Sequence, residues 1–294
     1  VFERVSIVIP AKCEAQSVGP IVAYLAGQPD RFAEILLVDD GSSDDTAQVA
    51  SEAGARVIRQ PYSMGNGAAI KRGALACTGD IIVFMDADGQ HDPEDIERLL
   101  RKMEGGFDMV VGARSGLGGQ ASIARWGANN FYNKFASWMV GHRIDDLTSG
   151  FRAVRRKKFL SFLYLLPNGF SYPTTSTMAF FRAGHSVGFV PVNVRRREGG
   201  KGHINLLRDG MRFLLIIFKI GTLYSPLKIY FPASVMTAGL GALNYLITAL
   251  SSGSWRFTNM TALLVSTGLI IFLLGLISEQ LTNLQYKDTS SDHE

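Results

Sequence analysis

At 294 residues the chain is long enough for one large domain or for a domain with an appendage, and it carries 30 Lys and Arg against 26 Asp and Glu, a net charge of +4. A mean hydropathy just above zero beside that mild basic balance points to a membrane-associated protein with a basic face, and away from a nucleic-acid partner. The two cysteines, Cys13 and Cys77, have no metal or redox spacing, so they read as unpaired thiols in a reducing cytoplasm rather than a disulfide framework.

The first apolar stretch, "VSIVIP" (5–10), is too short for a secretory signal and follows charged residues. From there strand and helix patterns alternate. "VSIVIP", a helix, "EILLVDD" (34–40), a helix from Asp44, "RVIRQ" (56–60), a helix through "GNGAAIKRGALAC" (65–77) and the apolar run from Ile81 to Met85 follow in order. This order predicts a doubly wound α/β domain whose parallel strands deliver their carboxyl ends to one rim. Pro10, Lys12 and Glu14 follow the first strand; Asp39 and Asp40 follow the second and lead into the turn "GSSDDT". An Asp beside a Gly-Ser turn suits a ribose or base hydroxyl, and equally an N-cap or a turn.

The stretch "IIVFMDADGQHDPED" (81–95) is the most informative. A continuous apolar run marks a strand covered on both faces, and Asp92-Pro93-Glu94-Asp95 marks a helix start with Asp92 as N-cap and Pro93 at the first helical position. "DADGQH" is then a loop at the carboxyl end of a strand, where open sheets place ligands. Asp86 and Asp88, one residue apart, repel each other unless a cation sits between them, and a divalent metal meets that need. The EF-hand template does not fit, because Gly89 is fourth in the loop and not sixth. Spacing alone leaves a solvated acidic loop open.

Downstream, "RSGLGGQAS" (114–122) is glycine-rich and is expected to be a flexible loop, and "FRAVRRKKFLSFLYLL" (151–166) reads either as an interfacial helix or as an amphipathic helix of the domain. "INLLRDGMRFLLIIFKIGTLYSPLK" (204–228) places Arg208, Arg212 and Lys219 among Leu, Ile and Phe, the pattern of a helix lying on lipid phosphates. Ile229 to Leu250 and Phe257 to Ser278 contain no charged residue. A helix of about 33 Å crosses a hydrocarbon core of about 30 Å, so both are expected to span a membrane. Arg208, Arg212, Lys219 and Lys228 precede the first span while only Arg256 sits in the connecting loop, which predicts that the main domain and both ends of the hairpin face the cytoplasm. The expected divisions are a main cytoplasmic domain over 1–203, a juxtamembrane region over 204–228, a hairpin over 229–278 and a polar tail over 279–294, disordered beyond Tyr286.

Taken together, "VSIVIPAKCEA", "LLVDDGSSDDT", "GNGAAIKRGA", "GDIIVFMDADGQHDPED", "VVGARSG" and "DLTSGFRAV" resemble the ordered motif set of inverting family 2 glycosyltransferases with the GT-A fold. More narrowly, the chain is similar over about residues 4–215 to polyprenyl-phosphate glycosyltransferases, the group of dolichyl-phosphate mannose synthase and its bacterial undecaprenyl-phosphate counterparts. The resemblance implies a Rossmann-like, mostly parallel sheet followed by interfacial and transmembrane helices in a bacterial inner membrane. It implies that Pro10, Ala11, Glu14, Val38, Asp39 and Asp40 hold the nucleoside, and that Asp86, Ala87, Asp88 and Gln90 meet the diphosphate and a Mg²⁺ or Mn²⁺, with Asp86, Asp88 and Gln90 as ligands. It further implies that Arg114, Arg125, Ser149 and Arg152 surround the acceptor phosphate and that Arg197 and Lys201 close on the diphosphate from a mobile loop. A homo-oligomer, possible as a tetramer in the bacterial members, is part of the same implication. Two positions depart from the family pattern: Cys13 stands where Asn is usual, and "KGHIN" offers Gly202 and His203 where a Ser-Lys pair is common.

The chemistry so implied transfers a hexose-type sugar from a nucleotide sugar, UDP in preference to GDP, to a polyprenyl phosphate with inversion. The second pKa of a phosphate monoester is near 6, so the attacking oxygen is already deprotonated and needs no dedicated base. Asp146 reads as a residual base, as an orienter of Arg152 or as a simple ion-pairing residue; His91 and His203 are lesser acid–base candidates. The rival readings are a processive polysaccharide synthase and a non-catalytic membrane scaffold. The first wants a Q-x-x-R-W motif, yet "QASIARW" puts Gln120 too far from Arg125 and Trp126.

Overall fold

The computed structural model describes residues 4–114, 123–169, 171–194, 218, 221–222, 225–253 and 255–291. They fall into two compact units, divided between Met211 and Arg212. The expected interfacial helix over 204–228 lies almost wholly outside the described residues, as does the glycine-rich loop at 115–122.

The first unit opens with the expected alternation: β1 (Val5–Ala11), α1 (Ala15–Ala26), β2 (Glu34–Asp39), α2 (Thr46–Glu52), β3 (Arg56–Arg59), α3 (Asn66–Ala76), β4 (Ile81–Phe84) and α4 (Asp95–Glu104). It continues through β5 (Met109–Arg114), α5 (Ile123–Val140), β6 (Arg152–Arg155), α6 (Arg156–Leu160), α7 (Tyr172–Arg182) and β7 (Val187–Val192). The seven strands form one sheet in the order β3-β2-β1-β4-β6-β5-β7. β1 to β4 run parallel, but β6 is antiparallel to both β4 and β5.

Alternation along each central strand feeds two layers. Ile7, Ile9, Leu37 and Val83 pack against Val18, Val22 and Leu25 of α1 and Ile96, Leu99 and Met103 of α4. On the other face Gly73 of α3 lies directly on Val8, a contact no larger residue allows, and Phe84 meets Phe159 at 4.9 Å between ring centroids and Tyr172 at 6.1 Å.

The segment 151–166 is therefore no interfacial helix. Its first part is a central strand, and Phe159, Phe162 and Leu166 are buried in the domain core. The start of α4 also differs from expectation by two residues. Asp92 accepts the Glu94 N–H at 3.1 Å, as a capping residue does, but the helix proper begins at Asp95.

The second unit is a helical hairpin of α8 (Pro226–Ser252) and α9 (Asn259–Ser291). α9 does not stop at the end of its uncharged stretch; it runs on to Ser291, into the segment expected to be a tail. Pro226–Ser251 and Asn259–Leu284 are each long and apolar enough to cross a membrane. Small residues let the helices approach: a Cβ on Gly268 would sit 3.0 Å from the Ser234 carbonyl, and one on Gly275 2.7 Å from Tyr230. Asn244 Oδ1 accepts from the Thr258 and Thr261 hydroxyls, so the polar groups at the turn satisfy one another. Leu240, Leu243, Ile247, Leu269, Ile270, Leu273 and Ile277 all point outward and are exposed, an apolar shell that suits lipid and not water.

Candidate active site

The parallel half of the sheet brings the ends of β1, β2 and β4 together, as the alternating pattern requires. Pro10 pairs with Val38 and Ala11 with Asp39 in register, so the two chain segments leave the rim side by side. A cleft of about 430 Å³ opens there, lined by Pro10, Ala11, Lys12, Glu14, Asp40, Asn66, Ala69, Asp86, Ala87 and Asp88. Of the residues assigned to the nucleoside, Pro10, Ala11, Glu14 and Asp40 thus share one cleft with the D-x-D pair. Val38 does not: it is a fully buried residue of β2 whose side chain lies against Gly73 of α3.

Asp39 and Asp40 differ although adjacent. Asp39 is fully buried, accepts the Ser42 N–H at 2.9 Å and holds Arg59 Nε at 3.2 Å. Asp40 sits at the cleft, where its carboxylate accepts from the Ser63 hydroxyl at 2.8 Å and the Met64 and Gly65 N–H groups at 2.7 and 3.1 Å. It therefore fixes the turn that leads into α3, and Lys12 Nζ joins the same turn by donating to Ser63 Oγ at 2.9 Å. Cys13, with φ near 55°, occupies the left-handed region that Asn tolerates better, and its N–H donates to Ser42 Oγ at 2.9 Å.

At the end of β4 the loop 86–91 is tied down from one side. Ser17 donates its hydroxyl to the Ala87 carbonyl at 2.6 Å, and Gly89 turns at a φ of 72°. Asp88 Oδ1 accepts the Gln90 N–H at 3.1 Å. Among the described residues no hydrogen bond reaches the Asp86 carboxylate. Burial, and after it the neighbouring Asp88 charge, push its pKa up to about 6, against the opposing pull of Arg152 and Arg114. Such a carboxylate lacks a cation. The two carboxylates supply hard oxygen ligands, which would fit Mg²⁺ or Mn²⁺. No third His, Cys, Asp or Glu joins them among the described residues. His91 stacks on Phe151 at 4.9 Å with its Nδ1 unpartnered in the interior; burial lowers its pKa, so it enters as a neutral packing ring.

The antiparallel β6 changes what lies beside this loop. Because Arg152 pairs with Phe84, the preceding residues Ser149, Gly150 and Phe151 emerge at the rim next to Asp86. A Cβ on Gly150 would lie 2.8 Å from Asp86 Oδ2, so only glycine leaves that carboxylate its place. Arg114, at the end of β5, forms a two-pronged pair with Asp146 at 2.7 and 2.9 Å and also bonds Thr148 Oγ1. Burial opposes both charges, yet the pair outweighs it: the Asp146 pKa falls and the Arg114 pKa rises. Asp146 thus orients Arg114, and not Arg152.

Arg152 itself is wholly enclosed. It donates to the Pro173 carbonyl at 3.0 Å and the Ser176 and Thr177 hydroxyls at 2.8 and 3.1 Å, also bonds the Ser149 carbonyl, and stacks over Tyr172. It lies behind the rim, with none of its surface exposed. Ser149 is nearly buried with its hydroxyl unpartnered. Arg125 lies on α5, with its side chain outside the described set, and Arg197 and Lys201 lie outside the described residues. Sequence reasoning assigned no role to Asn66, Ala69 or Tyr172. Asn66 was within reach through "GNGAAIKRGA", whereas Tyr172, whose hydroxyl donates to the Gly150 carbonyl at 2.9 Å, has no local signal.

Comparison with known proteins agrees with this geometry. Residues 6–162 match the model for glycosyl transferase family 2, and residues 225–284 match the GtrB C-terminal hairpin. A dolichyl-phosphate hexose transferase of Haloferax volcanii is 30% identical over 67% of this chain and 86% of its own. An undecaprenyl-phosphate 4-deoxy-4-formamido-L-arabinose transferase of Pseudomonas syringae is 28% identical over 97% of this chain and 87% of its own. In fold, the chain is similar to glucosyl-3-phosphoglycerate synthase of Mycobacterium tuberculosis crystallised with uridine diphosphate, with a TM-score of 0.62 and 22% identity over 75% of this chain and 80% of that one.

Proposed function

This chain belongs to glycosyl transferase family 2, and from that premise we propose that it transfers a hexose-type sugar from a nucleoside-diphosphate sugar, with UDP favoured over GDP, to a polyprenyl phosphate. The reaction takes place at the cytoplasmic face of a bacterial inner membrane. The observation that carries the lipid half of this reading is the hairpin: a family 2 catalytic unit is joined to two apolar helices whose outward faces suit hydrocarbon. An acceptor whose tail stays in the bilayer is met most often by an enzyme anchored there. The names of the relatives, which act on dolichyl and undecaprenyl phosphates, support the same acceptor class.

In this mechanism the cleft beside Pro10, Asp40 and Asn66 takes the nucleoside, and the Asp40-held turn gives that wall a fixed shape. Asp86 and Asp88 hold the divalent ion, with Gln90 beside them in the same loop. When bound, that ion supplies Lewis-acid neutralisation of the leaving diphosphate. Asp146 presents the Arg114 guanidinium at the rim, where a phosphate oxyanion pairs with it in planar geometry. Committed to Arg114 and held ionised, Asp146 is a poor proton acceptor, and none is needed: the phosphate attacks as an anion. Attack on the anomeric carbon opposite the diphosphate inverts the configuration in one step.

The test is direct. Detergent-purified protein is incubated with a panel of nucleotide sugars, undecaprenyl phosphate and Mg²⁺ or Mn²⁺, and the lipid fraction is weighed by mass spectrometry. One donor is expected to add a single hexose mass to the lipid. Addition of many residues would favour a polysaccharide synthase, and nucleotide binding with no lipid product would favour a scaffold.

A further inference from the structure

The loop 146–150 serves both charge centres of the site and has a third neighbour, the first turn of α7. At one end Asp146 and Thr148 hold Arg114; at the other Gly150 lies against the Asp86 carboxylate. A Cβ on Gly150 would sit 2.8 and 3.3 Å from the two Asp86 oxygens and 3.3 Å from the Tyr172 hydroxyl, so Asp86, Gly150 and Tyr172 meet at one point. The carbonyls on both sides of the Gly150 nitrogen and Cα are held. Arg152 bonds that of Ser149, and the Tyr172 hydroxyl donates to that of Gly150 at 2.9 Å.

Tyr172 is itself firmly placed. It is 1% exposed, edge-on to Phe84 of β4 at 6.1 Å between ring centroids and under the Arg152 guanidinium at 5.6 Å. Ser171 before it takes a left-handed φ of 85°, a conformation unfavourable to non-glycine residues and kept where the surroundings enforce it. Burial, and after it the Asp86 charge, raise the pKa of the phenol, so it stays a protonated donor. A buried tyrosine hydroxyl needs a partner, and many carbonyls could serve. Here the partner is the residue whose Cα walls the Asp86 carboxylate. Metal-binding side chains are ordinarily aimed by hydrogen bonds from a surrounding shell, yet none reaches the Asp86 carboxylate among the described residues. The Gly150 backbone stands where that shell would be.

We propose that Tyr172 is a positioning residue for the divalent metal: by fixing the Gly150 backbone it confines the Asp86 carboxylate to the cleft it shares with Asp88. The inference rests on the reading of Asp86 as a metal ligand and extends it to a side chain that touches neither ion nor substrate. The ring packs on Phe84 and Arg152 while the hydroxyl alone reaches Gly150, so Tyr172→Phe keeps the packing and releases the wall.

The experiment uses the full chain in neutral detergent. Mn²⁺ is titrated alone and with UDP or GDP, and unbound Mn²⁺ is read by electron paramagnetic resonance. Tyr172→Phe is expected to weaken Mn²⁺ binding about tenfold or more. Gly150→Ala, which puts a methyl group at the Asp86 oxygens, is expected to weaken it at least as much. Phe180→Leu controls for stability alone: it loosens the buried packing on Phe162 about two turns further along α7, and should lower the Tm with Mn²⁺ affinity unchanged. In transfer assays Tyr172→Phe should need more Mn²⁺ for half-maximal rate, with the rate at saturating Mn²⁺ and the KM for lipid phosphate near their original values. Unaltered Mn²⁺ affinity in Tyr172→Phe, or an equal loss in Phe180→Leu, overturns the positioning role and leaves the transferase reading standing. No Mn²⁺ binding by the wild type, or full binding by Asp86→Ala, sinks the metal reading and this inference with it.

Discussion

The two halves of the catalytic sheet handle charge in opposite ways. In the parallel half, Asp86 stands at the end of β4 without a hydrogen bond among the described residues and with its pKa pushed up to about 6 by burial and by Asp88. In the mixed half, Asp146 is locked to Arg114 through two bonds and its pKa is lowered. The first carboxylate waits for a cation from outside the chain; the second spends its charge on aiming a cation of the chain's own. On the proposed reaction, that division would put the departing diphosphate beside Asp86 and the incoming phosphate beside Arg114.

Four substitutions or conditions sharpen this comparison. Phe159→Ala removes the ring that β6 and α6 deliver against Phe84 and is expected to cost about 3–5 kcal/mol, read as a lower midpoint in denaturant. A negligible loss would mean that the mixed half is not built into the common core. Asp88→Asn keeps the shape of the loop but halves its charge, and transfer should fall about 100- to 1,000-fold with the Tm little changed. Asp146→Asn frees the Arg114 fork. Catalytic efficiency toward the lipid phosphate should drop about 10- to 100-fold while the donor KM stays near its original value. An equal loss in donor binding would erase the proposed split between the halves.

The smallest effect is on acid stability. In Glu34 and Asp108 burial favours the neutral form but is outweighed, by the Thr78 N–H and the Ser6 hydroxyl at Glu34 and by Lys158 and the Ser186 N–H at Asp108, so both titrate below their ordinary range. The stability they add is complete above unfolded values of about 4 and is lost as pH falls through the lower folded values. Urea midpoints should therefore decline below about pH 4 on account of these two groups, and Asp108→Asn should flatten part of that decline.

The parallel half was legible in the sequence because its signals are local. Each strand is a short apolar run, each ends in polar residues, and parallel crossovers put all those ends on one rim; Asp86, Asp88, Glu14 and Asp40 follow from that alone. The mixed half was not, because "FRAVRRKKF" carries basic and apolar residues in a pattern that suits a helix as well as a strand. Its direction is set by partners far away in sequence, β4 and β5. Arg152 shows the consequence. Its place in "SGFR" suggested a phosphate clamp, yet its pairing with Phe84 turns it into the interior, where carbonyls and hydroxyls of α7 receive it. The Arg114–Asp146 pair joins residues 32 apart in the chain and likewise had no local signal.

The measurement that bears most directly on the proposed reaction is the anomeric configuration of the lipid product, read by NMR after turnover of an α-linked nucleotide sugar with polyprenyl phosphate. Direct attack by the lipid phosphate gives a β-linked product only. An α-linked product, or a sugar bound covalently to the protein on the way, would contradict a single displacement between the carboxylate pair and the Asp146-held arginine.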